Sequence, residues 1–184
     1  MADNEFGYTR WGMDWVRLAE PLSLTRPEPL LPRARSIARN GGVTLEIEAT
    51  IVRAHIHRGG QASVTHLEFA PLSRSIADHL PATAVELTDA LHESLTGAGH
   101  VVAPRLVASD CSCPARNPRC LHFLATCYAL ARRVDENPWL ALDLQGYGRA
   151  LADEPAPDTP PARWTPLDNL DPAAYFAPPM SATG

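Results

Sequence analysis

Lysine is missing from the chain: all 16 basic residues are arginine, a bias that speaks of source and not of function. Long apolar runs are missing as well. Stretches such as Leu140 to Leu142 fall far below the roughly 18 residues a membrane-crossing helix needs, so no transmembrane span and no membrane partner are expected. The opening MADNEFGYTRWG carries acids and aromatics where a secretory signal would show a basic cluster and then an apolar run, which predicts a cytoplasmic protein. No G-x-S-x-G, phosphate-cradling glycine loop or H-E-x-x-H helix occurs. Glu46 and Glu48 alternate on a predicted strand and read as a solvated face. The expectation is therefore a protein without catalytic residues and without a small-molecule substrate.

What is present is 184 residues at 45% hydrophobic composition, enough for one modest core. The formal charge is −5, and −4 of it lies in residues 153–184. Around the cysteines the sign reverses, since Arg105, Arg116, Arg119, Arg132 and Arg133 stand against Asp110 alone between positions 105 and 133. Three of the four cysteines fall between positions 111 and 120. In a reducing compartment that clustering points to metal ligation, not to disulfides.

Four segments follow from pattern and composition. Residues 1–42 hold a short amphipathic helix, with Trp11, Trp15 and Leu18 on one stripe. Pro21, Pro27, Pro29 and Pro32 then predict an extended connector. Residues 43–104 alternate from Val43 to Ile51 with a phase slip before Val52, then reach Gly59-Gly60, a two-residue hairpin turn. Pairing Arg58 with Gln61 sets Leu67 opposite Val52 in a three-stranded meander closed by Pro71. A helix over Ala82 to Leu95 ends near Gly97, and Val101 to Ala108 reads as a further strand. Residues 105–152 hold the cysteines, a buried helix over Phe123 to Val134, and a last helix to about Asp153 with Pro138 in its first turn after Asp135 or Asn137 as cap. Residues 153–184 carry eight prolines and five acids, the composition of a flexible tail. The fold class is α+β, an antiparallel meander of three to four strands with flanking helices.

The segment Cys111-Ser-Cys113-Pro-Ala-Arg-Asn-Pro-Arg-Cys120-Leu-His122 sets two pairs, C-x-C and C-x-H, on either side of a six-residue loop. Alternate residues of an extended or tightly turned backbone can aim at one centre, and Asn117-Pro118 favours the turn that returns the chain. Three thiolates and one imidazole fill a tetrahedral site, the closed arrangement of a single structural zinc. No position remains for substrate or water. Cys127 lies seven residues beyond Cys120, about 10 Å along a helix, and is assigned to the core. His55, His57 and His66 share one strand face, and read as solvated polar residues, not as a second metal site.

The C-x-C, spacer, C-x-H pattern at Cys111, Cys113, Cys120 and His122 resembles the SWIM-type zinc fingers. Beyond it, Trp11-Gly12-Met13-Asp14-Trp15-Val16, the basic stretch Arg33 to Gly42 and Asp135-Glu136-Asn137-Pro138 are similar to segments of the bacterial SWIM proteins common in actinobacteria. Ala115, Arg116 and Leu121 replace the acid, tryptophan and lysine frequent in that family. The resemblance implies a non-catalytic accessory protein, an adaptor in protein–protein interaction with a Swi/Snf-type helicase-like ATPase as partner. The alternative it implies is DNA or RNA binding through the arginine-rich finger, for which Arg116, Arg119, Arg132 and Arg133 are the candidate contacts.

Overall fold

Thr9 starts the first helix because its side chain can replace a missing backbone acceptor: its Oγ1 accepts the Gly12 N–H at 2.8 Å. The structure is a computed structural model that describes residues 5–26, 28–58, 60–80, 87–115 and 117–147. The expected tail over 153–184 and the end of the expected last helix lie outside these residues. Helix α1 (Arg10–Ala19) buries Trp11, Trp15, Val16 and Ala19, and Leu18 packs half-buried against the same core.

The proline-rich connector is the first correction. Residues Leu31–Arg39 form helix α2, with Pro32 in its first turn, where the absent N–H would have had no helical partner anyway. Past Pro32 nothing breaks the helix. Leu31, Ala34 and Ala38 give it a buried stripe.

Strands β1 (Val43–Glu48) and β2 (Ile51–Arg58) are joined through Ala49-Thr50, and β3 (Gln61–Phe69) follows. Val52 pairs with Leu67 and Arg58 with Gln61, the register a two-residue loop dictates. One face of the sheet, with Val52, Ala54, Ile56, Thr65, Leu67 and Phe69, is buried. The other carries Glu46, Arg53, His55, His57 and His66. Short helix α3 (Arg74–Ala77) was not anticipated, and α4 (Asp89–Gly97) begins behind a Thr88 cap. Of the helix expected over Ala82 to Leu95, residues 82–86 lie outside the described residues, and Leu87 and Thr88 precede the helix, because the Thr88 side chain caps it.

Strand β4 (Leu106–Cys111) completes an antiparallel sheet in the order β1-β2-β3-β4. It starts later than Val101, because pairing with β3 runs from Phe69–Leu106 to Thr65–Cys111. Helix α5 (Leu121–Glu136) contacts α1, α2 and all four strands, and α6 (Trp139–Asp143) follows, with Pro138 as its cap residue and not inside its first turn. A helix touched on so many sides must be apolar almost all round. Leu124, Ala125, Cys127, Tyr128, Leu130, Ala131 and Val134 are accordingly inaccessible to solvent. One apolar cluster draws on segments 1–42, 43–104 and 105–152 together.

Near the far end of α5, Asp135 is buried, and its carboxylate accepts the Gly7 N–H at 2.6 Å, the Thr9 N–H at 2.9 Å and the Thr9 hydroxyl at 2.8 Å. A buried carboxylate needs this many donors to offset lost hydration. It sits at the start of α1, where the helix dipole also favours negative charge. Gly12 permits the approach, since a Cβ there would lie 2.0 Å from an Asp135 oxygen. Among the described residues, no helix is long and apolar enough to cross a membrane.

Candidate metal centre

The end of β4 and the start of α5 bring four donors together. Cys111 closes the strand, Cys120 is the cap residue of α5, and His122 lies in the helix's first turn. The ligand atoms of Cys111, Cys113, Cys120 and His122 all fall within 4.8 Å of one another. Nδ1 of His122 lies 3.8 Å from the Cys111 sulfur. Tetrahedral zinc at ordinary bond lengths would place sulfur and nitrogen about 3.6 Å apart and two sulfurs about 3.8 Å apart. The donor set is therefore compatible with a metal ion of that kind, which would draw its farther donors closer together.

Local hydrogen bonds hold the loop at both ends. Ser112 N–H donates to Val64 O, and the Ser112 hydroxyl accepts the Val64 N–H, each at 2.9 Å, extending the β3 pairing past the first ligand. Asn117 Oδ1 accepts the Arg119 N–H at 2.9 Å, closing the turn that returns the chain. The Arg119 guanidinium then donates to Leu18 O at 3.1 Å and Ala19 O at 2.6 Å, the open carbonyls at the end of α1, and lies over the Phe123 ring.

The thiols differ in acidity. Burial raises Cys111, but the Thr65 hydroxyl, the Cys113 N–H and the neighbouring thiols outweigh it and hold Cys111 below the usual thiol range. Burial pushes Cys120 up to about 12, helped by hydrogen bonds to Cys113 and Cys111 and by charge on Cys111, against the Phe123 N–H. Clustered thiols cannot all ionise unless a cation joins them. Cys127 is fully buried, and burial, with a smaller push from charge on Cys120, lifts it to about 12 against the nearby Arg119 charge, as suits a packed small hydrophobe.

The predicted site residues thus separate. The four ligand candidates converge. Arg119 is committed to α1, Arg132 pairs with Glu136 at 3.0 Å, Arg133 is exposed, and Arg116 lies outside the described residues. Arg119 and Arg132–Arg133 sit near opposite ends of α5, so they form no single patch. His55 Nε2 stands 3.4 Å from Glu46 Oε1 without hydrogen-bond geometry, and the only metal-ligand group among the described residues is the Cys/His one. Sequence reasoning missed Thr65, whose hydroxyl donates to the Cys111 sulfur at 3.5 Å. The strand alternation through Leu67 was the signal, because it puts Thr65 on the buried face.

Among curated proteins, the chain is similar to the uncharacterized protein Rv2102 of Mycobacterium tuberculosis, 28% identical over 158 residues that cover 77% of this chain and 56% of that protein. The chain spans little more than half the length of this curated relative. No protein-family model and no solved structure matches.

Proposed function

We propose that Cys111, Cys113, Cys120 and His122 hold one structural zinc ion, and that the chain is a SWIM-type zinc finger protein serving as a non-catalytic adaptor. The partner class we propose is a Swi/Snf-type helicase-like ATPase. The observation that carries the reading is the convergence of three thiols and one imidazole where β4 meets α5. Zinc there supplies a fixed cation that cancels thiolate repulsion and ties strand to helix. Four protein donors complete its coordination and leave no place for an activated water, which favours scaffolding over hydrolysis.

The motifs around the site support the same reading. The W-G-x-x-W-V and D-x-x-P segments are two halves of one clamp, Asp135 on the start of α1, so their joint presence has a structural reason. Direct nucleic-acid binding is less well supported, because Arg119 is spent on α1 and Arg132 and Arg133 lie toward the other end of α5. Metal analysis of protein purified without chelator is expected to find one zinc per chain; its absence overturns the zinc assignment. Size-exclusion chromatography with a purified Swi/Snf-type ATPase tests the adaptor role. Electrophoretic shift at two salt concentrations tests the alternative, and a salt-sensitive shift without ATPase binding would reverse the preference.

A further inference from the structure

β1 is an edge strand of the sheet. Gly42 O accepts the His57 N–H at 3.0 Å, so Gly42 and His57 form a hydrogen-bonded pair. Such pairs alternate along an antiparallel ladder, and on β1 they continue at Thr44, Glu46 and Glu48, opposite His55, Arg53 and Ile51. The N–H and C=O groups of Val43, Leu45 and Ile47 therefore point away from β2, and among the described residues no strand takes them up. An open, regular row of this kind is a template for another strand. The opposite edge differs: β4 joins β3 through a register irregularity at Glu68/Phe69 and ends in Cys111.

Beside the open row lies a cavity of about 320 Å³ whose lining sets Arg132, Arg133 and the single carboxylate Glu136 around Ala38, Val43, Leu45 and Ala129. Arg133 has no ion-pair partner among the described residues, and the Arg132–Glu136 pair is half-exposed and so weakly held. Backbone donors and acceptors, a small apolar floor and two arginines thus share one groove.

We propose that β1 docks an extended acidic segment of another protein, which adds as a further antiparallel strand and turns an acidic side chain toward Arg132 and Arg133 at every second residue. Residues paired across a sheet share a face. Val43 and Leu45 pack against the core on the helix side and Ile47 lies exposed on the same face, so in the antiparallel addition proposed the incoming acidic residues are the ones whose own N–H and C=O groups bond to β1. A second copy of this chain fits poorly, since it would set Glu46 and Glu48 among their equivalents and bring like arginines together. The proposal deepens the adaptor reading by naming the partner's chemistry. It stands about 15 Å along α5 from His122, so metal analysis and peptide binding can fail separately.

The test is fluorescence anisotropy of the full chain with a synthetic peptide alternating glutamate and valine. N-methylation at the glutamates is expected to abolish binding, and N-methylation at the valines to preserve it, with the protein itself unaltered. The Arg132→Glu, Arg133→Glu double variant is expected to lose at least about tenfold in affinity, and a lysine–valine peptide is expected not to bind. Equal binding of the two methylated peptides overturns strand addition. Failure of the glutamate peptide, equal binding of the lysine peptide, or equal displacement by a single-stranded oligonucleotide overturns the proposal.

Discussion

The two ends of α5 fasten to the same helix, α1, by opposite chemistry. At one end the Asp135 carboxylate receives two N–H groups and a hydroxyl from the start of α1. At the other, the ligand loop sends the Arg119 guanidinium to the closing carbonyls of α1, beside three thiols and an imidazole. The carboxylate end is complete with protein atoms alone. The thiol end is a set of acceptors that oppose one another once ionised. The difference teaches that donors surrounding an anion form a finished joint, whereas anions surrounding a gap need a cation to become one.

The largest expected effect separates the ends by metal. Structural zinc contributes roughly 10 to 16 kcal/mol in small finger peptides, as much as a domain's whole stability. Chelation or Cys113→Ser should therefore strongly lower the melting temperature followed by circular dichroism, with zinc content falling below one per chain. A variant that melts like the parent would remove the structural role. Gly12→Ala attacks the other end. The added Cβ lies 2.0 Å from an Asp135 oxygen, so about 2–3 kcal/mol should be lost in denaturant unfolding while zinc stoichiometry stays the same.

Arg119→Ala is expected to cost about 1.5–3 kcal/mol, the range for hydrogen bonds from a charged group, and to speed zinc transfer to a competing chelator. Unchanged transfer would show that the loop is held without α1. The smallest effect concerns pH. In the metal-free protein Cys120 and Cys127 sit near 12, above the ordinary thiol value, so the protonated thiols favour the fold. Their contribution is present below about pH 9 and is lost as pH rises toward 12. Zinc bound as proposed should run the other way, its affinity weakening on acidification because the metal must displace protons from the ligand thiols, that of Cys120 among them. Titrating zinc at several pH values checks the sign.

Much of the sheet was legible because period two and a two-residue glycine turn leave one register, and the Val52–Leu67 pair follows from them. The ligand set was legible because its spacing is local. Helix α2 was not, since four prolines outweighed a short alanine stripe and Pro32 acts as a breaker or a starter depending only on where the helix begins. Arg119 looked like a surface cation because its carbonyl partners on α1 lie 100 and 101 residues away in sequence. Asp135 hid for the same reason. Its motif was recognisable, yet the contact with Gly7 and Thr9 exists only after α1 and α5 pack together.

Between these two joints α1 carries a pair of indoles in unlike surroundings. Trp11 donates from Nε1 to Thr88 O at 3.1 Å and meets His92 edge-on, whereas Trp15 packs its buried ring against Phe69. An imidazole in contact can quench an indole, whereas an indole packed against a benzyl ring emits toward the blue. Trp139 and Trp164 also emit, so the difference between the parent spectrum and those of Trp11→Phe and Trp15→Phe isolates each indole, and the two differences should report which joint loosens first under chelation.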